Sequence, residues 1–269
     1  MGNEHGGWQG KWSGKWALVT GASAGIGLAV AEQLAAGGAN LVLTARRRER
    51  LEELASALRK KHGIKTEIFP ADLAKPGAPD EIRAFTQSKN LEIELLINNA
   101  GFGSYGALHD SALARQLEMI QVNCAAVVHL TRLYLPEMVA RRHGDVLIVA
   151  SVAGFQAVPF ISTYAATKAF DLLFAEGIAE EVRRHGVHVC ALCPGSTTTE
   201  FREVAGQPER TFRGAETAEK VARVGLGALA QGKSSVISGF KNKMSVEGQR
   251  LAPRSLVSRV AATMFDPGK

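Results

Sequence analysis

The sequence predicts an α/β fold: a single Rossmann-like domain in which a doubly wound parallel sheet carries helices on both faces. Short, almost continuously apolar runs alternate with longer segments of helical periodicity, as expected for parallel strands buried on both faces. The 269 residues, 46% of them hydrophobic, suffice for one large core. A glycine-rich string, TGASAGIG at 20–27, joins the first apolar run to the first helical segment.

The elements follow one another in a regular order. Residues 1–13, rich in Gly and Trp, form either an ordered cover or a loose arm. The domain is expected over 14–239, and a tail at 240–269 packs on the domain or on a neighbouring subunit. Predicted strands are 16–20, 40–44, 66–69, 95–98, 146–150, 187–192 and 234–237, and the helices between them include 26–36, 112–142 and 163–184.

The formal charge of +6 does not predict a nucleic-acid surface. Basic residues cluster at three predicted helix ends, 60–62, 141–143 and 183–185, where cations complement the helix dipole and a following glycine supplies a left-handed cap. Because these ends are expected to lie apart, they form no continuous basic stripe. No apolar run has the roughly 18 residues of a membrane span, so a cytoplasmic protein is expected; the basic tail leaves only a weak alternative of membrane-surface binding.

The cysteines indicate buried thiols. Cys124, Cys190 and Cys193 give no disulfide framework. Cys190 and Cys193 form a C-x-x-C, but on a predicted strand, where positions three apart face opposite sides of the sheet. Redox pairs instead open a helix. A structural role is therefore predicted for both, and no metal site is expected.

The glycine-rich string has the context of a phosphate-binding loop. Gly21 allows a tight turn, Gly25 lets the backbone approach a pyrophosphate, and Gly27 lets the helix pack on the strand. The spacing is G-x-x-x-G-x-G, which differs from the standard dinucleotide fingerprint. A glycine-rich turn that binds no nucleotide is the alternative.

Three arginines after the second strand indicate the cofactor. NAD sites place an acidic residue there for the ribose hydroxyls, whereas a basic residue receives the 2′-phosphate of NADP. The chain has Arg46, Arg47 and Arg48 and no acid before Glu49. We therefore predict NADP(H), with Arg46 as the first phosphate ligand and Arg47 as the second. Alternatively, the arginines only begin a solvated helix.

A serine, a tyrosine and a lysine occur together near the centre of the chain. Tyr164 and Lys168 are four residues apart and share one face of a helix. A nearby ammonium favours the phenolate, so Lys168 is expected to lower the pKa of Tyr164 towards neutrality. Ser151 is expected to hydrogen-bond the same substrate oxygen. The alternative is a packed ring beside a solvated charge.

Together these motifs are similar to those of the short-chain dehydrogenase/reductase family, in its single-domain branch. The resemblance covers about residues 14–237, and the motifs occur in the family's order. They are TGASAGIG, Asp72-Leu73, Asn98-Asn99-Ala100-Gly101, Asn123, Ser151, Tyr164 with Lys168, and Pro194-Gly195.

The resemblance implies a role for each matching residue. Tyr164 is the catalytic acid/base and also a cofactor-binding residue, and Ser151 orients the carbonyl. Lys168 tunes Tyr164 and binds the nicotinamide ribose, and Asn123 holds a water in a proton relay. The residues implied to line the rest of the cofactor site are Gly21, Ser23, Ile26, Asp72, Leu73 and Asn99 on the adenosine side, and Pro194, Gly195, Thr197 and Thr199 beside the nicotinamide.

The predicted function is NADP(H)-dependent interconversion of a carbonyl and a secondary alcohol on a mainly apolar small molecule. The alternatives are a non-catalytic NADP(H)-sensing protein, and a lyase or epimerase of the same fold. Family resemblance also implies a homodimer or homotetramer built through the two long helices. The alternative for the substrate pocket is that several of its expected apolar side chains only pack the loops. The residues expected to make the pocket apolar are Phe102, Tyr105, Phe155, Val158, Phe160, Phe201 and Phe212.

Overall fold

Seven parallel strands form the central sheet of the computed structural model, which describes residues 7–212 and 214–267, without the side chains of Arg210 and Phe212. The strand order is β3-β2-β1-β4-β5-β6-β9, so the sheet is doubly wound as predicted. The strands are β1 (Trp16–Thr20), β2 (Asn40–Thr44), β3 (Thr66–Ile68), β4 (Ile93–Asn98), β5 (Gly144–Val149), β6 (Val187–Cys193) and β9 (Ser235–Ile237), and two short strands, β7 (Thr197–Thr198) and β8 (Glu216–Thr217), pair separately.

Helices cover both faces of the sheet, which confirms the predicted fold class. One core lies between the sheet and α1, α2 and α8, and a second lies between the sheet and α3 to α6. No helix within the described ranges combines the length and apolarity needed to cross a bilayer. The helices are α1 (Gly25–Ala36), α2 (Arg48–His62), α3 (Ala78–Ser88), α4 (Leu113–Ile120), α5 (Ala126–Arg141), α6 (Ser162–Val182), α7 (Phe201–Ala205), α8 (Ala218–Ala230), α9 (Phe240–Gln249) and α10 (Arg254–Phe265).

The two cysteines of the C-x-x-C pack into different cores. Cys190 belongs to the core under α1, α2 and α8, whereas Cys193 belongs to the opposite one. Both thiols are free and buried, and burial raises their pKa to about 12. The prediction that these are structural thiols on two sides of a strand is therefore confirmed.

The long helix predicted at 112–142 is interrupted by one wide turn. Helices α4 and α5 are joined by a π-helical segment, Gln121–Ala125, which contains Asn123. A π-turn inserts an extra residue into a helix and is found most often at functional sites. The insertion sets the orientation of Asn123 relative to the end of β4.

The glycine cap was predicted correctly at two of the three basic helix ends. Gly63 and Gly186 have φ of +67° and +71°. At the third end the prediction was wrong: Arg142 takes the left-handed position with φ of +59°. Gly144 instead begins β5, where a Cβ would lie 2.7 Å from Cβ of Met138. Gly144 is thus required by close packing of the strand on α5.

Two of the basic clusters also lie closer together than the sequence suggested. Arg142 donates from Nη2 to the carbonyl oxygen of Arg184 at 3.1 Å. Strands β5 and β6 are neighbours, so the helices that precede them end side by side at the amino edge of the sheet. The expectation of three separate helix ends is therefore wrong for 141–143 and 183–185.

The described part of the N-terminal segment is an ordered cover at this amino edge. Trp8 and Trp12 are buried, and Nε1 of Trp12 donates to Oδ2 of Asp145 at 2.7 Å. Lys11 and His188 contact Oδ1 of the same carboxylate at 2.9 and 3.1 Å. Burial alone would raise the pKa of Asp145, but His188, Lys11 and Trp12 lower it overall. Residues 1–6 lie outside the described residues.

Removing the indole N–H should weaken the fold. We expect Trp12→Phe to lower the free energy of unfolding by about 1–3 kcal/mol at neutral pH, because a buried carboxylate loses one donor. The folded-state pKa of Asp145 is lowered, so its contribution to stability is present above its unfolded pKa of about 3.9 and is lost as the pH falls through the folded value. The deficit of the variant should therefore shrink in acid.

Urea unfolding at several pH values measures this effect. Trp8→Phe is the matched control, because it makes the same ring change at a buried tryptophan that does not bond Asp145. If both variants lose the same free energy of unfolding at every pH, packing alone is responsible for the loss.

Candidate active site

A cleft of about 400 Å³ opens at the carboxyl ends of β1, β4, β5 and β6. It lies where the strand order reverses between β1 and β4, which is where ligands bind in open α/β sheets. Two predicted site residues, Asn123 and Gly27, do not line the cleft. The predicted site residues that line it are Gly21, Ser23, Gly25, Ile26, Arg46, Arg47, Asp72, Leu73, Asn99, Ser151, Tyr164, Lys168, Pro194, Gly195, Thr197 and Thr199.

The glycine-rich loop is packed too tightly for side chains at two positions. Gly21 has φ of +66°, and a Cβ there would lie 2.8 Å from Nδ2 of Asn99. A Cβ on Gly27 would collide with the carbonyl oxygen of Gly21. Asn99 fixes the loop by donating from Nδ2 to the carbonyl oxygen of Thr20 at 2.9 Å. The sequence prediction for Gly27, close helix–strand packing, agrees with this geometry.

The N-terminus of α1 faces the cleft. No side chain caps this end of the helix by accepting a hydrogen bond from its backbone N–H groups. Ala24 occupies the cap position, and the first turn contains no acidic residue. The first N–H groups of a helix have no partner within the helix and carry its positive dipole end. This end therefore fits an anionic group such as a pyrophosphate.

Two of the three arginines, Arg46 and Arg47, line the cleft, together with an acid that sequence reasoning missed. Arg47 donates to Oε2 of Glu200 at 2.8 Å and to Oγ of Ser23 at 3.2 Å. Arg50 donates to the other oxygen of Glu200 at 2.6 Å. These hydrogen bonds lower the pKa of Glu200. Arg46 is exposed beside them, so the predicted phosphate ligands are both in reach of the cleft.

Ser151 follows β5, and a hydrogen bond between its side chain and the backbone two residues further on holds it in place. It caps the 3-10 turn Val152–Phe155, with Oγ accepting from the backbone N–H of Ala153 at 3.1 Å. The same hydroxyl is 3.5 Å from the carbonyl oxygen of Pro194. This anchoring keeps the serine at the cleft, which Tyr164 and Lys168, one turn apart on α6, also line.

Lys168 is buried and held by two acceptors. Its Nζ donates to the carbonyl oxygen of Val149 at 2.7 Å and to Oδ2 of Asp171 at 2.8 Å. Burial alone would lower the pKa of Lys168, but the charge of Asp171 outweighs it and raises the pKa overall. The lysine is therefore a fixed cation in the wall of the cleft.

The acidity of Tyr164 differs from the sequence prediction. Burial raises the pKa of the phenol above its ordinary value, and this effect outweighs the lowering by Lys168 and by the Ser151 hydroxyl. The ring remains partly exposed where it lines the cleft. The expected fall of the pKa towards neutrality is wrong for this structure, because desolvation and the charge of Asp171 both oppose ionisation.

Asn123 holds the end of β4 against α6. Its Oδ1 accepts from the N–H of Phe102 at 3.1 Å, while Nδ2 donates to the carbonyl oxygen of Phe102 and to Oγ1 of Thr167, each at 3.0 Å. A Cβ on Gly101 would lie 3.1 Å from Asn123 Oδ1 and 3.5 Å from Lys168 Nζ. The π-turn thus brings Asn123 within a short distance of the lysine.

Aromatic side chains form the wall around Tyr164. Phe201 on α7 packs 5.1 Å from the Tyr164 ring, measured between centroids, and Phe102 lines the same cleft. The predicted pocket side chains Tyr105 and Val158 pack instead in a small core beside it. Phe155 packs against the α3–α6 core, and Phe160 is not among the residues that line the cleft. The Phe212 side chain lies outside the described residues.

The C-terminal helix supplies a part of the wall that the sequence did not indicate. Phe265, the last residue of α10, lines the cleft, and its carbonyl oxygen accepts from Oη of Tyr105 at 2.8 Å. Ala261 is buried against Val158 and Ile161. The end of the tail is therefore built into the region where a substrate would bind.

Known proteins are similar to this chain in sequence. A family model described as short chain dehydrogenase matches residues 15–210. The 7beta-hydroxysteroid dehydrogenase of Collinsella aerofaciens is 32% identical over 233 residues, which cover 85% of this chain and 88% of that protein.

Two solved structures are also similar in fold. A short-chain dehydrogenase from Sphingobium yanoikuyae in complex with NADPH is 30% identical, with a TM-score of 0.82 over 91% of this chain and 95% of that one. A 7beta-hydroxysteroid dehydrogenase studied for its stereoselectivity is 30% identical, with a TM-score of 0.85 over 94% of this chain and 99% of that one.

Proposed function

The chain belongs to the short chain dehydrogenase family, and from this premise we propose that it is an NADP(H)-dependent oxidoreductase that interconverts a carbonyl and a secondary alcohol on a mainly apolar small molecule. One observation carries the proposal: Ser151, Tyr164 and Lys168 line the same cleft as the glycine-rich loop. A phenol, a hydroxyl and a fixed cation thus surround one space beside a nucleotide-binding loop.

The residues of the cleft fit a 2′-phosphorylated dinucleotide. The unclaimed N–H groups at the start of α1 suit the pyrophosphate, and Arg46 and Arg47 suit the 2′-phosphate. NADPH, when bound, supplies the hydride. The relative from Sphingobium yanoikuyae was solved in complex with NADPH, which supports this choice.

The side chains of the cleft supply the proton chemistry. As negative charge develops on the substrate oxygen, Tyr164 donates its proton to that oxygen and Ser151 donates a hydrogen bond to it. Lys168 stabilises the phenolate that remains. Both amide hydrogens of Asn123 are already donated, so it would hold a relay water through Oδ1.

The substrate is proposed to be bulky and apolar. Phe102, Phe201 and Phe265 line the cleft near Tyr164, and an apolar wall favours the desolvation of an apolar substrate. Hydroxysteroid dehydrogenases among the relatives are consistent with a ring-shaped ketone or alcohol.

Loss of NADPH absorbance across a panel of ketones and aldehydes, repeated with NADH, tests the proposal. We expect oxidation of NADPH with bulky apolar ketones, and slower oxidation of NADH. If NADPH binds but no carbonyl on the panel is reduced, the protein is a dinucleotide-binding protein without turnover. Conversion of a substrate without net consumption of the cofactor would instead indicate a lyase or an epimerase.

We further propose a homo-oligomer formed through an apolar surface on α4 and α6, which we call the α4/α6 face. Leu113 and Leu117 on α4 are 71% and 56% exposed, and Phe170 and Leu173 on α6 are 40% and 68% exposed. Several large apolar side chains exposed on neighbouring helices indicate an interface with another protein. A second copy of the chain is the proposed partner.

Charge placed in the α4/α6 face should dissociate the assembly. We expect Leu173→Glu to convert the oligomer to monomers, because a buried, unpaired carboxylate is costly at an interface. Sedimentation velocity measures the mass. Leu251→Glu is the control, because Leu251 is 92% exposed and lies outside this face. Unchanged mass in the Leu173 variant would place the interface elsewhere.

The cytoplasmic location and the absence of nucleic-acid binding stay predictions. The adjoining clusters at 141–143 and 183–185 make a larger basic surface than the sequence suggested. A filter-binding measurement with random-sequence DNA and RNA at low salt tests the second prediction, since non-specific binding is strongest there.

A further inference from the structure

Asp171 is a buried carboxylate with a direct contact to the proposed catalytic machinery. It lies three residues after Lys168 on α6 and is completely buried. Its Oδ2 accepts from Lys168 Nζ at 2.8 Å, whereas Oδ1 has no hydrogen-bond partner within the described part of the chain. A buried carboxylate that lacks one hydrogen bond is costly, so its position beside the lysine calls for a role.

We propose that Asp171 is a positioning residue that acts through Lys168: it holds the Lys168 ammonium in place and keeps the Tyr164–Lys168 pair in its fully protonated form. The inference rests on the proposed function, because it concerns the same two side chains. Asp171 does not line the cleft, so its action on a substrate is indirect.

The first part of the role is geometric. An ammonium has three N–H donors, and those of Lys168 reach Asp171 and the carbonyl oxygen of Val149. Two acceptors on different elements, α6 and β5, fix the position of Nζ. One donor is left for the side of the cleft, which Lys168 lines.

The second part is electrostatic. Burial raises the pKa of Asp171, and the charge and hydrogen bond of Lys168 oppose that rise. Once ionised, the carboxylate opposes the loss of a proton from either member of the Tyr164–Lys168 pair, so the pair holds both protons to higher pH. This conclusion does not depend on which residue releases its proton first. The charge of Asp171 acts in the same direction on both, raising the pKa of Lys168 and that of Tyr164.

The other titratable groups around the pair contribute little charge. Cys124 faces it from the π-turn and Cys193 from β6, and burial raises the pKa of both thiols to about 12, so both are neutral. Glu176, eight residues after Lys168 on α6, accepts from Ser235 Oγ at 2.7 Å. Asp171 is therefore the carboxylate in contact with the lysine.

The role favours reduction of a carbonyl over oxidation of an alcohol. Reduction requires the phenol of Tyr164 to carry its proton, whereas oxidation requires the phenolate. By keeping the pair fully protonated, Asp171 extends reduction to alkaline pH and delays the onset of oxidation.

The test compares pH profiles of kcat/KM for Asp171→Asn and the wild-type enzyme in both directions. Asn keeps the shape of the side chain and removes its charge. We expect the falling limb for reduction and the rising limb for oxidation to move to lower pH by roughly 1–2 units. Glu180→Gln is the matched control, because it removes an exposed carboxylate near the C-terminal end of the same helix, where Glu180 pairs with Arg183 three residues further on.

Two results for Asp171→Asn would overturn the proposal. In the first, the limbs of its pH profiles stay at the wild-type pH. In the second, its activity falls equally at every pH, which indicates a purely structural role. If Asp171→Asn does not fold, Asp171→Ser is measured in its place.

A second readout separates this inference from the proposed function. The ultraviolet tyrosinate band and the NMR resonance of the Lys168 side chain report the first proton loss without any turnover, with Tyr164→Phe as the reference for the other tyrosines. Turnover absent on every substrate but a first proton loss shifted downwards in Asp171→Asn would reject the oxidoreductase proposal and retain the role of Asp171. Turnover without a shift of the first proton loss in Asp171→Asn would retain the oxidoreductase proposal and reject the role of Asp171.

Discussion

Tyr164→Phe should lower kcat/KM for carbonyl reduction by about 10³-fold, the typical contribution of a positioned general acid. The variant keeps the ring that packs on Phe201 and removes only the hydroxyl. NADPH affinity should change by less than about twofold, because the phenol contributes little to cofactor binding compared with the pyrophosphate and the 2′-phosphate contacts. Steady-state kinetics on a confirmed substrate and fluorescence titration with NADPH measure the two effects.

Tyr134→Phe is the matched control. Tyr134 is fully buried between α3 and α5, where its hydroxyl is 2.9 Å from Oγ1 of Thr86. The substitution makes the same chemical change far from the cleft and should leave kcat/KM unchanged apart from a small loss of stability. Undiminished turnover in Tyr164→Phe would exclude the proposed acid.

Replacing both Arg46 and Arg47 by Ala should reduce the preference for NADPH over NADH by about 10²-fold or more. Each charge-assisted contact to a phosphate contributes roughly 1.5–3 kcal/mol, and every 1.4 kcal/mol is about tenfold in affinity. kcat/KM with NADH should change by less than about threefold, since NADH lacks the 2′-phosphate. The ratio of kcat/KM values for the two cofactors is the measurement.

Arg48→Ala is the control for this pair. Arg48 is the next residue along the chain, but it pairs with Glu52 at 3.6 Å on α2 and does not line the cleft. It should leave the cofactor preference unchanged. A double variant that keeps its full preference for NADPH would show that the phosphate binds elsewhere.

Much of the site follows from local sequence patterns. Apolar runs predicted all seven strands of the sheet within two residues, because strands buried on both faces need nearly continuous apolar side chains. Residues that directly follow those strands meet at one edge of a parallel sheet. For this reason Gly21, Asn99, Ser151 and Pro194, predicted from four separate motifs, line the same cleft.

Features that depend on packing between distant segments could not be predicted in this way. The spacing of Asp171 from Lys168 is visible as i, i+3 on a helix, but its burial is not. Glu200 and Phe265 reach the cleft from segments far along the chain, and no local pattern indicates them. Whether the pKa of Tyr164 rises or falls depends on how much water the folded protein excludes from the phenol. The spacing of Tyr164 and Lys168 in the sequence does not report this.

The placement of the two ends of the domain determines how the protein is best attached to a tag or a solid support. Because α10 ends at the cleft that Tyr164 also lines, a partner protein fused after it would emerge next to the proposed substrate entrance. Trp8 and Trp12, by contrast, lie at the far edge of the sheet. An affinity handle placed before them leaves that entrance open, and immobilisation from that side presents the reactive end of the molecule to solution.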